Sequence, residues 1–163
     1  MPATFEKIAT TTLGSAASTI TFSSIAASWT DLRLIYVGTP VSGASLDVYF
    51  NSDTGSNYSR TTLYGDGTNT GSGRNSNLGF WRTTFGLTAS YPSFVALDIF
   101  SYAGSTYKTG LSTLSADWNG SGYAYRNVGL WRSTAAITRI DLDLGGNNFA
   151  AGTTATLYGI LKA

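Results

Sequence analysis

The chain has 163 residues, of which 42% are hydrophobic and 13% aromatic, enough for one sizeable core in a single domain spanning 1–163 and too many for a disordered chain. Only 12% are charged, the net charge is +1, and there is no Cys and no His. Thiolate and imidazole nucleophiles, zinc sites and disulfide frameworks are thereby excluded, and with basic residues scattered, nucleic acid and acidic membranes are not expected as partners.

The opening stretch "MPATFEKIATTTLGSAASTITFSS" lacks the basic start and unbroken apolar run of a signal peptide. No segment supplies the ~20 apolar residues needed to span a bilayer. Synthesis in a cytoplasm is expected, with residues 1–12 as an extended N-terminal arm. From there the dominant period is two. In "DLRLIYV" Leu32, Leu34 and Tyr36 share a face, and in "SLDVYFN" Leu46, Val48 and Phe50 do the same. "NSDTGSN" is a turn, and residues 65–77, "GDGTNTGSGRNSN", read as a long exposed loop, either a partner contact or a plain connector. "FVALDIFSY" (94–102) and "TGLSTLSADW" (109–118) alternate again, and the turn "WNGSGY" places Trp118 and Tyr123 at the two ends of a hairpin connection. "NVGLWR" (127–132) echoes "NLGFWR" (77–82), as two strands in similar settings and neighbours in one sheet. "ITRIDLDL" (137–144) and residues 153–161 form a terminal hairpin across the Gly145-Gly146-Asn147-Asn148 turn. The expectation is an all-β, antiparallel β-sandwich of about ten short strands, closed as a jelly roll.

Few residues offer chemistry. Asp141 and Asp143 lie two apart on one strand face, a spacing that suits a cation or an acid pair; the solvent face of a strand, where like charges discourage edge pairing, is the stronger reading. Asp53-Thr54-Gly55 matches the aspartic-protease triplet but is framed by polar turn residues. "GDGTNTGSG" lacks the Lys-Ser/Thr and the helix of a phosphate loop. No catalytic, cofactor-binding or metal-binding residue is assigned. Aromatic side chains carry the remaining signal: Trp118, Tyr123 and Tyr125 form a candidate stacking platform for a glycan, with Asn119 or Asp117 supplying hydrogen bonds. Phe5, in the arm, is a candidate partner contact.

The opening "MPATFEKIATTTLGSAASTITFSSIAASWTDLRL", the middle "NYSRTTLYGDGT" and the ending "ITRIDLDLGGNNFAAGTTATLYGIL" together resemble a widespread family of tailed-bacteriophage virion proteins. The resemblance implies a non-enzymatic structural role in the virion, as a decoration or cement protein that binds the major capsid protein and stabilises the assembled head. A symmetric homo-oligomer, a trimer in preference, is the expected form. The alternative is a tail-fibre or carbohydrate-binding module that recognises a host glycan.

Overall fold

The computed structural model describes residues 4–161, which are all-β. Twelve strands follow in chain order: β1 (Phe5–Thr12), β2 (Thr19–Phe22), β3 (Asp31–Gly38), β4 (Asp47–Phe50), β5 (Tyr58–Gly65), β6 (Thr70–Leu78), β7 (Trp81–Arg82), β8 (Ser93–Phe100), β9 (Lys108–Asp117), β10 (Gly122–Trp131), β11 (Ile140–Asp143) and β12 (Thr154–Ile160). They form an eight-stranded sheet, β1-β12-β3-β8-β9-β10-β5-β6, and a four-stranded sheet, β2-β11-β4-β7. Every strand pairing in both is antiparallel. The expected β-sandwich holds. A jelly-roll order is not established, since β8, β9 and β10 run as a meander within one sheet.

Period-two alternation builds the core. Leu32, Leu34 and Tyr36 of β3, Val95, Leu97 and Ile99 of β8, and Leu157 of β12 meet Ile20, Phe22, Val48, Phe50, Ile140 and Leu142 of the small sheet in one buried cluster. Phe50 is its hub, with the rings of Trp131, Tyr58 and Trp81 at 5.5, 6.2 and 6.3 Å. Trp81 lies where β9 and β10 carry Gly110 and Gly129, and a Cβ at either glycine would overlap its indole. The indole Nε1 donates to Asn127 Oδ1 at 2.9 Å.

Several expectations fail for identifiable reasons. Of the proposed N-terminal arm, residues 1–3 lie outside the described residues, while Phe5–Thr12 is an edge strand paired with β12. The loop expected over 65–77 is instead a β5–β6 hairpin with a tight turn, in which Asp66 Oδ1 accepts the N–H groups of Thr68 and Asn69 at 2.9 and 2.5 Å. Strand β6 shows no alternation because, at the sheet edge, it is exposed on both faces. The terminal hairpin does not form: β11 pairs with β2 and β4, and β12 with β1 and β3, so the turn at Gly145 and Gly146 (φ 65° and 93°) leads across to the other sheet. Trp81 and Trp131, expected as neighbours in one sheet, come from opposite sheets and meet over Phe50.

The DTG triplet is a turn brace. Asp53 accepts Gly55 N–H at 2.8 Å, Asn57 Nδ2–H at 2.9 Å and Trp131 Nε1–H at 2.7 Å. Burial works against ionisation, but these N–H groups of Trp131, Asn57 and Gly55 outweigh it and hold the carboxyl below the usual range. A carboxyl more acidic in the folded than in the unfolded chain confers stability above the unfolded value, near pH 4, and that stability is lost as pH falls further. Asp53→Asn is therefore expected to lose about 1–2 kcal/mol at pH 7, and to lose less than the wild type between pH 4 and pH 2.5. Urea unfolding at these pH values measures both effects; identical wild-type and variant curves would contradict them.

Candidate functional site

Two surfaces stand out. The first is the outer face of the eight-stranded sheet, turned away from the small sheet. The usual antiparallel sheet presents polar residues there. Here Val37, Phe94, Phe100, Val128 and Leu63 point outward, with exposures from 41% (Phe94) to 60% (Leu63). The register places Val37 opposite Phe94, Ile35 opposite Ala96 and Leu111 opposite Val128, while Asp98 lies between Phe94 and Phe100 on β8 and Arg126 lies opposite Leu63. The charges on this face include the Arg33–Asp98 pair at 3.4 Å, the exposed Arg126, and the exposed Arg74, which donates to Thr61 opposite Val128. At the β1 edge Phe5 is also exposed and stacks on Tyr158, with ring centroids 4.7 Å apart.

The second lies on the inner face of the same sheet, where eight strands overhang four. Strand β7 packs near β5 and β10 and is the last strand of the small sheet, so the inner faces of β5 and β6 project beyond it. This leaves a cleft of about 270 Å³. Arg60, Thr62 and Tyr64 of β5 share its floor with Gly73 and Asn75 of β6, and Tyr125 and Phe85 form walls. Tyr64 stacks on Tyr125 at 5.5 Å, and Phe85 stands 6.2 Å from Tyr125. Arg60 is 8% exposed: Nε and Nη2 each donate to Asn75 Oδ1 at 3.2 Å, Nη1 donates to Arg82 O at 3.2 Å, and the guanidinium lies 4.6 Å over the Phe85 ring. Burial, and then the neighbouring Arg82, lower its pKa. Thr62 is held by Asn127, whose Nδ2 donates to Thr62 Oγ1 at 3.0 Å.

The structure brings three of the sequence candidates together. Trp118 and Tyr123 meet edge-on at 5.2 Å, and Tyr123 is 5.4 Å from Tyr125. Tyr125 is 9% exposed, so it is a cleft wall and not a surface platform. Asn119 sits at the hairpin tip with φ 56°, and its N–H is accepted by Asp117 Oδ1 at 2.9 Å, so Asp117 braces its own turn. Phe5 stands apart on the outer face. Arg60, Tyr64, Gly73, Asn75 and Phe85 escaped the sequence reading, because they converge from three separate stretches and β6 carries no alternation.

The aspartates Asp141 and Asp143 share the outward face of β11, but β11 is an inner strand, not an edge. Asp141 is 8% exposed because Arg139 covers it, with Nε and Nη2 at 2.7 to 3.0 Å, while Thr21 donates at 2.6 Å. Asp143 accepts Gly145 N–H at 2.6 Å. Among the described residues no three His, Cys, Asp or Glu side chains converge as a metal site would require. Compared with known proteins, the sequence matches no family profile and no curated protein.

Proposed function

We propose that the chain is a structural protein of a tailed-phage virion, bound to the assembled capsid as a decoration or cement protein through the outer face of the eight-stranded sheet. The observation that carries this reading is the set of exposed apolar side chains, Val37, Phe94, Phe100, Val128 and Leu63, on a face that an antiparallel sheet normally leaves polar. The resemblance to virion proteins supplies the partner class: the major capsid protein, in many symmetric copies. Modest contacts repeated by symmetry add up to tight retention, and a symmetric oligomer, a trimer in preference, multiplies them again. Bridging neighbouring capsid subunits then stabilises the shell by mass action, because only the assembled lattice offers the site.

The test is to add the protein to capsids lacking it and look for symmetric density by cryo-electron microscopy. The double variant Phe94→Asp, Val128→Asp changes two exposed side chains and is expected to keep its unfolding midpoint, while capsid affinity falls by roughly 30-fold or more. Full occupancy by the folded variant would sink the assignment of this face. Wild-type protein that leaves the capsid bare would sink the capsid reading itself. Deleting residues 1–12 is a poor test, since it strips β1 from the sheet and uncovers the β12 edge.

A further inference from the structure

The overhang cleft has three properties that point to one ligand class. The first is the glycine pattern of β6. Gly73 lines the cleft opposite Thr62 and Gly71 lies opposite Tyr64, and neither has positive φ, so the backbone does not require glycine at either place. Gly71 has an internal reason: a Cβ there would collide with the Tyr64 ring. Gly73 has none, since a Cβ there would meet nothing within 4 Å. Glycine weakens a strand, and an open, unconstrained one is explained where something outside the fold approaches the backbone.

The second property is the charge of Arg60. A guanidinium has five N–H groups, and three hydrogen bonds engage Arg60, which leaves two N–H groups for a ligand. Its protein acceptors are an amide and a backbone carbonyl, not a carboxylate, and no carboxylate lines the cleft. The nearby Asp47 is engaged with Arg82 at 2.7 and 2.8 Å, and Asp66 with its own turn. Buried cations normally have a directly bonded anionic partner; the charge of Asp47 acts on Arg60 from a distance, but no carboxylate accepts its N–H groups.

The third property is aromatic. Tyr64, partly exposed, is held against Tyr125, with Phe85 opposite, in a space of about 270 Å³, near the lower bound for ligand clefts. Rigid aromatic faces of this kind receive the C–H faces of a sugar ring, while tyrosine hydroxyls and the Asn75 amide supply hydrogen bonds.

We propose that the cleft binds one acidic sugar unit of a polysaccharide, with the pyranose ring against Tyr64 and Tyr125 and its carboxylate on Arg60. This assignment stands independently of the capsid reading, because it uses the opposite face of the sheet. Titration calorimetry of the intact protein with an oligomer of galacturonic acid, with the matching galactose oligomer and with inorganic phosphate decides it. The uronate is expected to bind on the order of tenfold or more tighter than the neutral oligomer, a difference that added salt shrinks, and phosphate alone is expected not to bind. Gly73→Val, whose Cβ meets nothing within 4 Å and whose methyl groups crowd the cleft side of β6, should abolish binding at an unchanged unfolding midpoint. Tyr64→Ala should weaken it, and Arg60→Gln should erase the preference for the acid; if Arg60→Gln does not fold, Gly73→Val still decides. Equal affinity for the neutral oligomer, binding of phosphate as tight as the uronate, retained binding in Gly73→Val, or no binding to folded wild-type protein would each overturn the proposal.

Discussion

Trp81→Ala is expected to destabilise the protein by about 3–5 kcal/mol, the largest effect of any single substitution considered. Three losses coincide. The indole is 2% exposed and fills the space that Gly110 and Gly129 leave open, so its removal creates a cavity between the sheets that two glycines cannot fill. Phe50 loses one of the three rings around it. Asn127 Oδ1 loses its donor inside the core, a further desolvation cost. The complementary change, Gly129→Ala, places a methyl group into the indole from the opposite side and should cost about 1–3 kcal/mol through overpacking. Urea unfolding measures both. A loss below about 1 kcal/mol for Trp81→Ala would mean that the sheets close over the gap, and the interlock of indole and glycine would not be what spaces them.

Asp47→Ala is expected to follow closely, at about 3 kcal/mol. Asp47 is 1% exposed and holds Arg82 through two parallel bonds, Nε–Oδ1 at 2.7 Å and Nη2–Oδ2 at 2.8 Å. Removing one partner of a buried pair leaves the other charge uncompensated, which costs about 3–5 kcal/mol when both are fully buried; Arg82 keeps some contact with solvent, so the lower end applies. Asp143 sits directly opposite Asp47 in the register, and relief of that like-charge contact offsets a little of the loss. The double variant Asp47→Ala, Arg82→Met removes both charges and should recover part of the deficit. The backbone carbonyl of residue 82 can still receive Arg60 and Asn127, so the cleft floor should survive. A double variant less stable than Asp47→Ala would show that Arg82 contributes mainly by packing on Phe80 and Phe85.

The core was legible because alternation is a local property. Leu32, Leu34 and Tyr36, or Ile140, Leu142 and Leu144, announce their buried face in eight residues, and all six are buried. Alternation does not say which sheet a strand joins, so β11 and β12, adjacent in sequence and both apolar on one side, read as a hairpin although they lie in different layers. Nor does it register a strand with no buried face: β6 reads as a loop because Gly, Ser, Thr, Asn and Arg fill it up to its last residue, Leu78. Asp47 and Asp141 mislead in another way. Both point out of the small sheet as alternation requires, yet both are buried, because Arg82 and Arg139 fold over them. The hairpin pair Trp118 and Tyr123 could be read from one turn. The cleft could not, since Arg60, Asn75, Phe85 and Tyr125 meet only once the chain has folded.

The position of β12 between β1 and β3 governs when the molecule can be completed. Among the described residues strand β1 has β12 as its only sheet neighbour, and β3 holds β12 on one side, so β1 is attached to the rest of the large sheet through β12. Thr12 and Thr154, which face each other in that pair, are separated by 142 positions. At ordinary rates of translation the nascent β1 waits on the order of ten seconds for its partner to emerge. The seam therefore closes only once β12 has been made, as a slow, long-range step, and until then the chain presents open strand edges to whatever else the cell offers.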